Sequence, residues 1–283
     1  MSEPYRLLDL FSGIGGFSLG FERSGAFKTV AFCEIEPFCR KVLAKHWPEI
    51  PCYDDIRTLN AERLRSDGIS VDAICGGFPC QDISVAGKGA GIEGERSGLW
   101  SEYARLIGEL RPRYVIVENV SALLSRGLDA VLGALASLGY NAEWHCIPAS
   151  YVGAPHIRDR VWVVAYAQEM FRDGRGDKQR RLTATIPELR NSHCAHVPAD
   201  AWKERAEGIK PQEVSGLSAF SWCQDVRRTE DLRGRPDLPP PIFRGASDGV
   251  PDWMGRIGAC GNAVVPQIPE LIGRAIAQAE RAA

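Results

Sequence analysis

The chain has 283 residues, of which 45% are hydrophobic and 25% charged, and its formal net charge is -2. That length allows one large domain or two modest ones and can bury a core without disulfide staples. The near-neutral balance excludes a uniformly basic nucleic-acid binder but not a locally basic face, and no apolar run approaches the ~18–20 residues of a membrane span. Residues 1–6 lack the basic region and apolar stretch of a secretory signal, so a cytoplasmic protein is expected. The nine cysteines, an odd number with several inside apolar runs, read as reduced thiols. No CxxC pair occurs, and the His193-Cys194-x-His196 cluster lacks a fourth ligand, so no metal site is expected.

Residues 1–167 alternate strand-like and helix-like patterns. Strand-like runs fall at 5–11, 28–33, 71–75, 113–117 and 161–165. Helix-compatible segments lie near 36–46, 99–110 and 127–138. This alternation predicts an α/β domain with a largely parallel sheet. Ligands of such sheets sit outside the carboxyl ends of the strands. The first four runs end in Ser12-Gly13, Glu34, Gly76-Gly77 and Glu118-Asn119, where the chemistry is expected. From 168 to 250 the apolar periodicity fades. This segment carries a net +1 against -3 for the rest, with arginines clustered at Arg172, Arg175, Arg180 and Arg181 and at Arg227, Arg228, Arg233 and Arg235. On charge alone, solvated loops are the favoured reading of these clusters over a binding face. A helix-compatible tail follows at 267–282.

Four motifs could carry chemistry. Asp9-Leu10-Phe11-Ser12-Gly13-Ile14-Gly15-Gly16-Phe17 runs a strand into glycines. It is either a tight turn or a loop that lets the backbone approach a ligand. It is not the dinucleotide fingerprint, because Ser18 stands where the third glycine would be. Glu34 ends the second strand and could accept hydrogen bonds from ribose hydroxyls, while Asp54-Asp55-Ile56 is either a helix cap or an adenine contact. Gly76-Gly77-Phe78-Pro79-Cys80-Gln81-Asp82-Ile83-Ser84 places a cysteine on a loop past a strand end, where a thiol activated by positive charge or hydrogen bonding could act as a nucleophile. Glu118 could hold a proton just past the fourth strand, or cap the next helix. Arg158 and Arg160 would project to one side of an extended segment, as an anion or base contact or as a surface pair.

In this order, these motifs and Gly261-Asn262-Ala263-Val264-Val265-Pro266 resemble the cytosine-5 DNA methyltransferase family over residues 5–167 and 258–282. The resemblance implies a Rossmann-like S-adenosylmethionine-dependent methyltransferase domain, 1–167 completed by 251–283, with a smaller target-recognition domain at 168–250. It implies that Cys80, Glu118, Arg158 and Arg160 are catalytic. Cys80 would attack C6 of a flipped cytosine, Glu118 would serve N3, Arg160 would hold O2, and Arg158 would help position the base or the backbone near Cys80. The cofactor, S-adenosylmethionine, which leaves as S-adenosylhomocysteine, would lie among Phe11, Gly13, Ile14, Gly16, Glu34, Ile35, Asp55, Ile56, Pro79, Leu99, Asn262, Ala263 and Val264. DNA contacts would come from Gln81, Ser84, Arg172, Arg175, Arg227 and Arg228. The partner implied is double-stranded DNA, bound by a monomer of restriction-modification type, with room for a cognate restriction endonuclease. Two departures stand out: the family often has an aromatic residue where this chain has Ile35, and residues 227–256 fit poorly the motif expected before the tail. An RNA methyltransferase and a silent DNA-binding module are the competing readings. The Arg-rich insert disfavours the first, and the intact catalytic set disfavours the second.

Overall fold

The computed structural model describes residues 3–79, 98–154, 156, 158–167, 196–197 and 261–281. In chain order the strands are β1 (Tyr5–Leu10), β2 (Phe27–Cys33), β3 (Cys52–Tyr53), β4 (Ala73–Gly76), β5 (Tyr114–Val120), β6 (Tyr140–Pro148), β7 (Asp159–Ala167) and β8 (His196–Val197). The helices are α1 (Gly16–Arg23), α2 (Pro37–His46), α3 (Ala61–Ser66), α4 (Gly98–Leu110), α5 (Leu123–Arg126), α6 (Leu128–Ser137) and α7 (Gln267–Arg281).

The strands form one sheet in the order β3-β2-β1-β4-β5-β7-β6-β8. The pairs from β3 through β5 are parallel, and β7, β6 and β8 add antiparallel neighbours. The expected α/β class with a mostly parallel sheet is therefore present. The strand order reverses between β1 and β4, and that switch point is where such sheets open a crevice at the carboxyl ends of the strands.

Each face of the sheet carries its own core. Leu8, Leu10, Ile74, Val115 and Val117 pack under Leu64, Tyr103, Leu106, Ile107, Val131 and Leu135 of α3, α4 and α6. On the other face Leu7, Cys75, Ile116, Trp162 and Val164 pack under Phe17 and Phe21 of α1 and Ile268, Ile272 and Ile276 of α7. The tail thus returns to the beginning of the chain. Its far end is tied to the sheet by Glu280, which accepts a hydrogen bond from the Tyr114 hydroxyl and pairs with Arg113 at 3.5 Å. The Arg113 guanidinium lies 5.2 Å above the Tyr5 ring.

Several elements differ from the sequence expectation. The fourth strand continues to Val120, so Glu118 lies within β5 and caps no helix; its cross-strand partner is Trp162. The run beginning at 161 starts two residues earlier, at Asp159. Arg158 has φ 35, in the left-handed region, and so does not continue the extended segment expected of the arginine pair. The strand β6 and the helices α1, α3 and α5 were not anticipated. Among the described residues no helix is long and apolar enough to cross a membrane, and no group of three His, Cys, Asp or Glu could hold a metal ion. The segment 168–250, where the resemblance leads one to expect a target-recognition domain, lies outside the described residues except for β8, which pairs with β6.

Candidate active site

The carboxyl ends of β1 and β2 build the first half of the site. Beyond β1 the chain turns sharply: Phe11, Gly13 and Gly15 have φ 51, 54 and 86. A non-glycine residue in this region costs roughly 1–2 kcal/mol, and such strain clusters where ligands are held. The Ser12 hydroxyl donates to the Asp9 carbonyl at 2.6 Å and Gly15 N–H to the Ser12 carbonyl at 2.9 Å, closing the turn. A side chain at Gly13 would meet open space. At Gly15 a Cβ would sit 2.6 Å from the Trp47 ring, so the indole fills the back of the turn. Trp47 is held there by donating its ring N–H to Glu22 at 3.0 Å.

Glu34 follows β2 and is 8% exposed. Its carboxylate accepts the Gly13 N–H at 2.7 Å and the Glu36 N–H at 2.8 Å, which joins the two strand ends. A carboxylate has about four lone-pair positions, so acceptor capacity remains for a ligand. Next to it Ile35 is 59% exposed, a largely open apolar shelf. Ile14 and Leu99 are half-buried, and Pro79 is exposed. The Ile56 side chain is buried in the core, so only its backbone can face a ligand. Both carboxylate oxygens of Asp55 meet the Arg57 guanidinium, at 2.7–3.0 Å, and this partner was not foreseen. The tail closes this half of the site. The Val264 carbonyl lies 2.5 Å from where a Gly16 Cβ would be, with half-buried Ala263 and exposed Asn262 beside it.

The carboxyl ends of β4, β5 and β7 build the second half. Glu118 and Arg160 lie on one face of antiparallel β5 and β7, and Arg160 Nε meets Glu118 Oε1 at 3.0 Å. Glu118 is only 12% exposed. Burial pushes its carboxyl above the ordinary value, and the Arg160 and Arg158 charges limit the rise. A Cβ on Gly77 would sit 2.8 Å from Glu118 Oε2, so glycine lets the strand end pass the carboxylate. Arg158 donates to the Gly261 carbonyl and thereby joins the start of β7 to the tail.

Asn119 belongs to the polar cluster that ends the fourth strand-like run, and the sequence points to no role for it. On the opposite face from Glu118, it donates Nδ2–H to the Phe78 carbonyl at 2.9 Å and accepts the Val120 N–H at 2.9 Å. It therefore fixes the backbone two residues before Cys80. Its signal was present: asparagine is depleted in strands. Asp9, fully buried, is a second such residue. It accepts the Ser18 hydroxyl at 2.7 Å and the Ser18 N–H at 3.3 Å, and so ties β1 to α1 across the glycine turn.

Cys80, Gln81, Ser84, Arg172, Arg175, Arg227 and Arg228 lie outside the described residues. Of the other cysteines, burial pushes Cys33 up to about 12 and Cys39 and Cys52 to about 11, and raises Cys75 well above its ordinary value. None of these four is an activated thiol.

The sequence model of the family described as C-5 cytosine-specific DNA methylase matches residues 5–230. Among curated relatives, the type II methyltransferase M2.BsuMI of Bacillus subtilis is 36% identical over 56% of this chain and 41% of its own length. M.NlaIV of Neisseria lactamica is 33% identical over 76% of this chain and 53% of its own. The chain thus spans about half or less of the length of these relatives. Among solved structures, a candidate DNA modification methyltransferase encoded within an Escherichia coli prophage is 28% identical with a TM-score of 0.51, over 59% of this chain and 47% of that one. A Dnmt2 protein of Spodoptera frugiperda shares the fold at 22% identity and a TM-score of 0.50, over 62% and 54% of the two chains.

Proposed function

Because the chain belongs to the C-5 cytosine-specific DNA methylases, we propose that it transfers a methyl group from S-adenosylmethionine to C5 of cytosine in a short sequence of double-stranded DNA. The observation that carries this reading is the partly buried Glu118–Arg160 pair beside Gly77, at the strand end that leads through Pro79 to Cys80.

The first half of the site fits the cofactor. An open-faced glycine turn, a carboxylate with spare acceptor positions and a largely exposed apolar shelf at Ile35 suit a nucleoside with an aliphatic sulfonium arm. Phe11, Gly13, Ile14 and Gly16 would surround it. Glu34 would take its ribose hydroxyls, and Ile35 would pack on the adenine. Asp55 and Ile56 would border the adenine edge, and Pro79, Leu99, Asn262, Ala263 and Val264 would complete the pocket. When bound, the cofactor supplies an electrophilic methyl group.

Cytosine C5 is too weak a nucleophile to take that methyl unaided, and the chain's residues correct this. The target base leaves the helix, as bases must when an enzyme acts on an atom shielded inside the duplex. The Cys80 thiolate forms a bond to C6, and Glu118 gives a proton or hydrogen bond to N3, so that electron density gathers at C5. Burial raises the proton affinity of Glu118, a shift in the direction that favours giving a proton to N3. Arg160 holds the base O2, and Arg158 steadies the base near the loop. C5 gains the methyl group, with S-adenosylhomocysteine as the other product; its proton then passes to solvent as the C6–S bond breaks and Cys80 leaves as a thiolate by β-elimination. Residues 1–167 with 251–283 form the catalytic domain in this reading, while 168–250 recognises the target, with Arg172, Arg175, Arg227 and Arg228 joining Gln81 and Ser84 at the DNA. A monomer acting in the cytoplasm, with or without a paired endonuclease, suits this chemistry.

The test is bisulfite sequencing of DNA from cells that express the chain, alongside calorimetry of cofactor binding. The wild type is expected to leave 5-methylcytosine in one sequence context. Cys80→Ala is expected to leave none while still binding S-adenosylhomocysteine. Full methylation by Cys80→Ala would sink the covalent mechanism.

A further inference from the structure

Arg105, on the outer turn of α4, plays no part in the chemistry described so far, yet it makes four hydrogen bonds with one guanidinium. Its Nη2 donates to the Ile56 carbonyl at 3.0 Å and to the Leu59 carbonyl at 2.8 Å. Its Nε donates to Glu102 and its Nη1 to Glu109, each at 2.6 Å. The other oxygen of Glu109 accepts the Ala61 N–H at 2.9 Å, at the first residue of α3. The whole turn from 56 to 61 is therefore held from α4 at three backbone positions. The turn's own ties are short-range: Thr58 and Leu59 N–H donate to the Asp55 carbonyl at 3.1 and 3.2 Å, the Thr58 hydroxyl donates to the same carbonyl at 3.0 Å, Arg57 N–H donates to the Asp55 carboxylate at 2.9 Å, and the exposed Asp55–Arg57 pair adds to them.

The same helix touches the rest of the site. Trp100 packs on Phe78 at 5.2 Å, two residues before Cys80, and Tyr103 packs on Phe11 at 6.3 Å, in the strained turn after β1. The Tyr103 hydroxyl is anchored to the Ile116 carbonyl at 3.0 Å. A guanidinium suits this position because its planar fork can serve two carbonyls and two carboxylates together, which a lysine ammonium cannot do in the same geometry.

We propose that Arg105 is a positioning residue for recognition of the cofactor's adenine edge, acting through the carbonyls of Ile56 and Leu59. The inference rests on the reading above that Asp55 and Ile56 border the adenine. Arg105 sets how firmly that edge is read. Trp100 and Tyr103 seat the same helix against the nucleophile loop and the glycine turn, so the adenine site keeps its register with the transfer site.

The test compares binding of S-adenosylhomocysteine and of its 6-oxo analogue, S-inosylhomocysteine, to the full-length wild type, Arg105→Ala and Arg105→Lys by calorimetry, with thermal denaturation in parallel. A misplacement of about 1 Å in positioned groups can cost ~100-fold in rate, and the adenine contacts place the same demand on geometry. Arg105→Ala is therefore expected to weaken S-adenosylhomocysteine binding about ten- to a hundredfold and to bring the preference for adenine over the 6-oxo base towards one. Arg105→Lys should recover part of both, and it carries the test if the alanine variant does not fold. An unchanged preference in both variants would overturn the proposal, as would equal losses for the two ligands. A wild type that binds neither ligand would instead overturn the cofactor reading on which the proposal rests.

Discussion

Gly20 offers a test of how the tail is seated. It lies inside α1, and a Cβ built there would stand 2.1 Å from the Pro266 carbonyl oxygen and 2.8 Å from the Pro269 Cβ. The same seam shows two further close approaches, Gly16 to the Val264 carbonyl and Gly273 to the Ser24 hydroxyl, each 2.5 Å from the Cβ position. The tail thus docks on α1 where side chains are missing. Gly20→Ala sets two effects against each other. Alanine in a helix interior gains about 1 kcal/mol over glycine, whereas forcing a methyl into a packed seam costs about 1–3 kcal/mol. The obstacle is backbone that must retreat by roughly 1 Å to regain ordinary contact, so the upper end of that cost applies. The net loss is about 2 kcal/mol. For a chain of this size that lowers Tm by about 4–8 °C. Gly133→Ala is the control, because its Cβ on α6 would meet nothing within 4 Å. The control should gain up to about 1 kcal/mol from helix propensity alone. Circular dichroism melts of the full chain measure both variants. A Gly20→Ala variant as stable as the wild type, or more so, would refute the seam as the reason for the glycine.

Two further outcomes are expected. Burial pushes Asp9 up to about 7 against the Ser18 hydrogen bonds, while the unfolded chain titrates near ~3.9. Between about pH 4 and 7 the native state holds a proton that the unfolded state releases, so stability should fall as pH rises through that window. Asp9→Asn should flatten that slope in Tm-against-pH profiles, and an unchanged slope would remove Asp9 as its source. Glu118→Gln keeps the shape beside Arg160 but has no acidic proton to give, so turnover should drop about 100-fold or more with little change in DNA affinity. Comparable losses in turnover and DNA binding would make Glu118 a structural residue.

Much of the catalytic fold is legible in the sequence, for a physical reason. Strands buried on both faces of a parallel sheet read as continuous apolar runs, so β1, β2, β4 and β5 stand out, and their polar ends mark the crevice. What was missed has equally specific causes. Strand β6 hides because its inward positions include Glu143 and His145, both nearly buried. Helix α1 hides because Gly16 and Gly20 lower its helix propensity, and those glycines answer to a tail some 250 residues away.

The same division runs through the site. Local spacing identified Glu34, Glu118 and the glycine turn, because each sits at a strand end that the apolar pattern predicts. It could not reveal that Asn119 holds the Phe78 carbonyl, that Trp47 fills the space behind Gly15, or that Arg105 grips Ile56 and Leu59. Those contacts join positions tens of residues apart in sequence. The amino-acid sequence alone determined the fold class, the family and the places where chemistry could occur. The tertiary structure decided which partners hold the reacting groups, because a hydrogen bond needs its donor and acceptor within about 3 Å, and only the packed helices and sheet bring distant residues that close.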